Sequence, residues 1–363
     1  MKKFSKKILI RVLCLVMSVV LIFVIPTFKV KVNDNLELIY GTFVGEKSEY
    51  NGLIEIWNID TFESGSVSKK SLLLSAADAF QKKYKGIYVL VRNITEKECE
   101  NMLASGQVPD MFSCSYGVSK TIKQYLEAFE KKDYGIYDNY LAAGQDKNGS
   151  QFGLAYCSGL YFLLSTKSTI EKAGVVYDEN FDITKNAYKL GYQTTGKKPK
   201  SIFSLAFVTK GELLPQKALK AYSNNEAELN EHLAYDTTKK ITQYEAYIEF
   251  LVGNCVALLG SQRDVVRLFS RQANGKISDV VCTPLLTYCD LVQYLFMAKT
   301  ENAAKKNMLQ KFTEFILGQK FQSELAKANM FSTTKNVSQE FELSVMNEIT
   351  EEMFKNLEIR NVF

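Results

Sequence analysis

Residues 87–113, IYVLVRNITEKECENMLASGQVPDMFS, decide the class of fold. Ile87 to Val91 are all apolar and few enough for a strand buried on both faces. Thr95 stands three residues before Glu98, the spacing of a capping box, and predicts a helix ending near Gly106. Met111-Phe112-Ser113 reads as the next short strand. Toward the N-terminus, Leu73, Ala76, Ala77, Phe80 and Tyr84 recur at helical spacing, so a helix is predicted over 71–84, stopped by Gly86. The alternating Leu53-Ile54-Glu55-Ile56-Trp57 predicts a strand before it. The order β-α-β-α-β with short links predicts an α/β fold built on a parallel sheet.

A second block of the same kind follows. Ile241, Tyr244, Tyr247, Ile248 and Leu251 mark a predicted helix face, and Cys255 to Leu259 a strand. Gly260-Ser261 then turns into a helix with Asp264 at its third position and Val265, Leu268 and Phe269 toward the core. Val280 to Leu286 reads as a connecting strand. Three helical patterns close the chain, at 303–317, 319–328 and about 338–356. Residues 178–200 are the least patterned, and Gly196-Lys197-Lys198-Pro199 is a predicted loop.

The chain of 363 residues suits about two packed units, and its formal charge is +5. That charge sits in residues 1–30, which carry Lys2, Lys3, Lys6, Lys7, Arg11 and Lys29 and no acid, leaving 39 bases against 40 acids in the rest. A body at −1 offers no net-charge case for nucleic acid. Ile8 to Ile25 is interrupted only by Arg11, Cys14 and Ser18, and as a helix those 18 residues would span about 27 Å. The segment reads as a secretory signal or a signal anchor. No small-residue cleavage site follows it, which favours an uncleaved anchor with the body outside the cell. Residues 31–51 read as a tether. Cys99, Cys114, Cys157, Cys255, Cys282 and Cys289 show no zinc-site spacing; most sit in apolar runs and are expected as small buried hydrophobes.

Four stretches of the body resemble, in order, the extracellular solute-binding proteins of family 1, the receptors of ABC importers. They are Ile54-Glu55-Ile56-Trp57-Asn58 leading to Phe62-Glu63-Ser64-Gly65; Leu103 to Ser113, similar to the family's G-x-x-P-D-M-F segment; Gly153 to Leu164, similar to its crossover, with Ala155-Tyr156 where Pro-Tyr or Pro-Trp is usual; and Phe250 to Arg263 with Pro284-Leu285 downstream. The resemblance implies a two-lobed periplasmic-binding-protein-like fold whose hinge crossovers let the lobes close on a solute. Lobe one would be 52–154 plus 283–313, and lobe two 155–282 plus 314–363. The implied partner is an ABC permease, the implied state a monomer, and no cofactor is implied.

In open α/β sheets ligands sit beyond the carboxyl ends of strands. That rule and the resemblance together select Phe62, Glu63, Ser113, Tyr116, Ser158, Tyr161, Gln262, Arg263, Tyr288 and Asp290 as candidate ligand-binding residues. Glu63 can accept from ligand hydroxyls or be a solvated loop acid. Tyr116 and Tyr161 can stack on a sugar or simply pack. Gln262 and Arg263 open a helix toward the cleft, or hold a structural salt bridge. Asp110 is expected to fix its turn, and Trp57, the single Trp, to be core. A carbohydrate or oligosaccharide is the solute the resemblance favours. Rival readings are a membrane-anchored sensor or surface-binding protein of the same fold and, further off, a glycan hydrolase using Asp60 and Glu63. The one histidine, His232, lies in a polar stretch, and P-loop, dinucleotide and metal motifs are absent from the sequence.

Overall fold

Two β-sheets, each fed by strands from distant parts of the chain, organise the computed structural model, which describes residues 46–172, 205–220 and 240–363. The signal or anchor segment, most of the tether, the 196–199 loop and His232 lie outside the described residues. The strands are β1 (Glu46–Ile59), β2 (Tyr84–Ile94), β3 (Met111–Cys114), β4 (Leu126–Glu127), β5 (Gly153–Ser158), β6 (Tyr161–Thr166), β7 (Leu205–Phe207), β8 (Ala257–Ser261), β9 (Val280–Leu285), β10 (Tyr288–Cys289), β11 (Val292–Ala298) and β12 (Glu358–Ile359). The longer helices are α1 (Lys69–Lys83), α2 (Glu96–Ala104), α3 (Gln243–Leu251), α4 (Gln262–Ala273) and α5 (Ala303–Leu317).

The first sheet runs β2-β1-β3-β11-β4, with β5 also on β11. β1 and β3 pair in parallel, Trp57 opposite Phe112, as the β-α-β-α-β order requires. The expected parallel sheet is corrected at β11, which runs antiparallel to β3, β4 and β5. The second sheet runs β7-β8-β6-β9; only β7 and β8 pair in parallel. All residues of β5, β6 and β11 are buried, which is why these strands read as continuous runs rather than alternations. β10 and β12 form a separate parallel pair.

Local chemistry explains the helix boundaries. Ser68 caps α1, whose stripe Leu73, Ala76, Ala77 and Phe80 is buried. Phe80 packs edge-on against Phe312 of α5 at 5.1 Å and Phe315 at 5.6 Å. Thr95 and Glu98 form the capping box of α2, and Ser261 and Asp264 that of α4. α1 ends at Lys83, before Gly86; Gly86 lies within β2 at φ 84°, where a Cβ would stand 1.9 Å from Asn51 Oδ1. β1 begins at Glu46, inside the stretch expected as a tether. The buried face of α3 is Ala246, Tyr247 and Phe250, while Tyr244 and Ile248 face outward. The 338–356 pattern yields only short helices at 344–347 and 351–355. There the Asn347 amide bonds both the N–H and the carbonyl of Phe341, competing with helical pairing.

Lys47–Phe363 form one compact unit. Within it the chain passes from the first sheet to the second at Gly159-Leu160, between β5 and β6, and back over 286–291, between β9 and β11. Residues after α5 return to the first sheet's side: Thr333 Oγ1 and Gln322 Nε2 donate to the carbonyls of Ala155 and Tyr156 on β5. Of the six body cysteines, Cys282 is half-buried and the others are buried. Trp57 is core, 5.8 Å from Phe112 and perpendicular to it.

Candidate functional site

The loop after β1, residues 60–65, is held from two sides. From its own side, Lys69 reaches back from the first turn of α1. Its buried ammonium donates to the Phe62 carbonyl, pairs with Asp60 at 3.2 Å and lies 3.8 Å from the Phe62 ring centre. From the other side, three residues of α4 grip the loop. Gln262 Nε2 donates to the Glu63 carbonyl at 3.0 Å and Arg263 Nη1 to the Gly65 carbonyl at 2.6 Å. Arg267 forms a two-pronged ion pair with the Glu63 carboxylate at 2.8 and 2.9 Å.

Beside this loop opens a cleft of about 600 Å³ between the two sheets. The first sheet's side supplies Asp60, Thr61, Phe62, Glu63, Lys69 and Tyr116; the second supplies Lys210, Glu212, Gln243, Tyr244 and Arg263. The volume lies within the ordinary range for small-molecule sites, roughly 300–1,000 Å³. The aromatic side chains of Phe62, Tyr116 and Tyr244 share its wall with hydrogen-bonding groups, a composition suited to a polar solute with apolar faces. Among the described residues there is no cluster of His, Cys, Asp and Glu able to hold a metal ion.

Of the ten expected residues, Phe62, Glu63, Tyr116 and Arg263 line the cleft. Tyr116 is already engaged: Lys120 donates to its hydroxyl at 2.7 Å and the Arg360 guanidinium lies 3.3 Å from its ring centre. The Lys120 contact, more than Arg360, draws its hydroxyl below the usual phenol range.

The other six lie buried behind the wall. Ser113 bonds Asn58, Tyr156 and Gln293. Ser158 bonds Tyr140 and the Gly159 carbonyl. Gln262 joins the crossover to the loop, accepting from Leu160 N–H while it donates to Glu63. Tyr161, Tyr288 and Asp290 form one hub: both hydroxyls donate to the carboxylate, at 2.6 and 3.1 Å, along with the N–H of Leu214 at 2.8 Å. Burial first, and the Asp290 charge second, push the Tyr161 hydroxyl far above the phenol range, so it stays a donor. Asp110 accepts from the Glu55 N–H and pairs with Lys305, fixing its turn.

Lys69, Gln243, Tyr244 and Arg267 were not among the expected residues. Only Arg267 left a signal: it stands one helical turn from both Arg263 and Asp264, on a face the capping box already aims at the cleft.

Lys69 gives a pH test. Burial lowers its pKa below 10.5, against the opposing pull of Asp60. The folded chain therefore releases this proton before the unfolded chain does. Between the depressed folded value and 10.5 the unfolded state binds more protons, so Lys69's contribution to stability rises with pH. Urea unfolding of the unaltered protein and Lys69→Met across pH 7–10.5 should show the difference moving in favour of the unaltered protein as pH rises. A pH-independent difference would contradict the burial argument.

Two α/β sheets joined by crossovers, with a polar and aromatic cleft between them, define a two-lobed periplasmic-binding-protein-like fold. It is the fold of the substrate-binding proteins of ABC transporters. An ABC substrate-binding protein of Listeria monocytogenes, solved with cycloalternan, matches at TM-score 0.59 and 14% identity, over 86% of this chain and 89% of that one. The galacto-N-biose/lacto-N-biose I-binding protein of Bifidobacterium longum matches at 0.58 and 12%, over 85% and 86%. Iron-bound HitA of Pseudomonas aeruginosa matches at 0.56 and 13%, over 85% and 94%. At such identities the likeness is one of fold, and its bearers hold sugars in two cases and iron in the third. No protein-family model and no curated protein matches the sequence.

Proposed function

We propose that this chain is an extracellular solute-binding receptor that captures a carbohydrate or oligosaccharide between two lobes and delivers it to an ABC permease. The observation that carries this reading is the cleft itself: about 600 Å³, entered between the sheets, with Phe62, Tyr116 and Tyr244 among polar groups and no metal-binding cluster among the described residues. Solutes held in two halves of such a cleft favour the closed arrangement because only there do both walls touch them. Phe62, Glu63, Tyr116 and Arg263 are proposed to meet the solute, together with Gln243 and Tyr244. Ser113, Ser158, Tyr161, Gln262, Tyr288 and Asp290 support the wall. The proposed lobes exchange the chain at 159–160 and 286–291, a few residues from the boundaries expected at 154/155 and 282/283. The residues after 314 belong on this reading with lobe one, because they pack on β5. The basic, apolar N-terminus holds the body at the outer face of the membrane. The protein acts as a monomer and as a receptor rather than an enzyme.

A thermal-shift panel of oligosaccharides, amino acids and polyamines tests the reading. A sugar at 100 times its Kd should add about 2.7 kcal/mol of stability. A panel in which no sugar shifts the transition would refute carbohydrate capture, and a shift by an amino acid or polyamine alone would redirect it.

A further inference from the structure

We infer that Glu63 and Arg267 form a bolt that holds the cleft closed without solute. This rests on the two-lobed receptor reading and goes beyond it. Glu63 is on the loop after β1 and lines the cleft, and Arg267 is on α4, which follows a strand of the second sheet, so their ion pair joins the two walls beside the cleft. The pair is two-pronged, at 2.8 and 2.9 Å. Arg267 is aimed before it meets Glu63. Its guanidinium also bonds the fully buried Asp264 at 3.2 Å and lies 5.1 and 5.2 Å from the ring centres of Tyr244 and Tyr247. Such a fork loses little side-chain freedom when the carboxylate arrives. Two contacts to backbone carbonyls flank the bolt, a neutral one from Gln262 to Glu63 and a charge-assisted one from Arg263 to Gly65.

The loop acid best placed for solute hydroxyls is therefore committed to the opposite wall. Opening must break the Glu63–Arg267 pair, and the apparent affinity for any solute falls with the fraction of molecules open to admit it.

The test uses the full chain in detergent with no sugar added. Cys14 and Cys282 are replaced by serine, and spin labels are placed at Leu74→Cys on α1 and Val252→Cys just beyond α3, both exposed positions. Pulsed dipolar spectroscopy then reads the distance between the walls. With Glu63 present, one short distance population should dominate. Glu63→Gln should raise a longer-distance population about tenfold, equivalent to about 1.4 kcal/mol. Arg267→Ala should do the same; because it leaves buried Asp264 without its ion-pair partner, the near-isosteric Glu63→Gln is the deciding variant. Identical distributions with and without Glu63→Gln would overturn the bolt, and so would a long population already dominant in the unaltered protein. Neither outcome depends on a sugar being found, so failure here and failure of the thermal-shift panel are separate results.

Discussion

Asp290→Ala is expected to destabilise the protein by about 3–5 kcal/mol, the range for removing one partner from a buried charged network. Asp290 is 2% exposed and accepts from Tyr161, Tyr288 and the Leu214 N–H, with Arg360 at 3.4 Å. Alanine leaves two buried hydroxyls and a backbone N–H without their acceptor, and each such orphan costs on the order of 1–3 kcal/mol. The residue sits in the return crossover, so its donors come from strand β6, strand β10, the loop before residue 215 and the C-terminal segment. Asp290→Asn keeps the shape and one acceptor and should cost clearly less than Asp290→Ala. Equilibrium urea unfolding measures both; a loss below about 1 kcal/mol for Asp290→Ala would show that the hub carries no stability.

The second large effect is expected at Asp264. It is fully buried, accepts from the Ser261 N–H at 2.9 Å and from Gln243 at 3.2 Å, and pairs with Arg267. Burial raises its pKa even though the Ser261 N–H, Gln243 and Arg267 all favour the charged form. Asp264→Ala removes the N3 half of the α4 capping box, leaving only the Ser261 hydroxyl, and the partner that orients Arg267, for a combined loss of about 3–5 kcal/mol. Asp264→Asn still accepts from Ser261 and should recover part of it. If alanine and asparagine cost the same small amount, the capping box does not anchor α4. The two sites lie in different elements and share no direct partner, so their losses should add to within about 0.5 kcal/mol.

Most of the fold was legible because its signals are local. Capping boxes at Thr95/Glu98 and Ser261/Asp264 are written in three-residue spacings, and the stripe of α1 in its periodicity. Strand β11 was not: no strand is expected between 286 and 303, and an apolar run carries no sign of parallel or antiparallel pairing. The site divided along the same line. Phe62, Glu63, Tyr116 and Arg263 stand on the cleft wall because they follow strands or open a helix. Tyr161 and Asp290 are expected as ligand-binding residues because a sequence shows two polar side chains but not that they meet each other across 129 positions. Tyr244 is grouped with Tyr247 on one predicted helix face because a helix with apolar residues on two faces does not announce which face is covered. Lys69 was passed over for a complementary reason: lysine is seldom fully buried unless paired, and its partners, Asp60 and the Phe62 carbonyl, lie in an irregular loop.

Strand β11 sets a timetable. It lies between β3 on one side and β4 and β5 on the other, yet it is contributed by residues 292–298. The sheet that begins first along the chain therefore lacks a central strand until most of the polypeptide has been made. Its closing contacts are of high contact order, with a long loop to close before they form, so this topology folds slowly and exposes unpaired edges while it waits. On the proposed extracellular placement slowness would be an asset: a sheet that cannot finish early leaves the polypeptide loose enough to be threaded across a membrane before it sets.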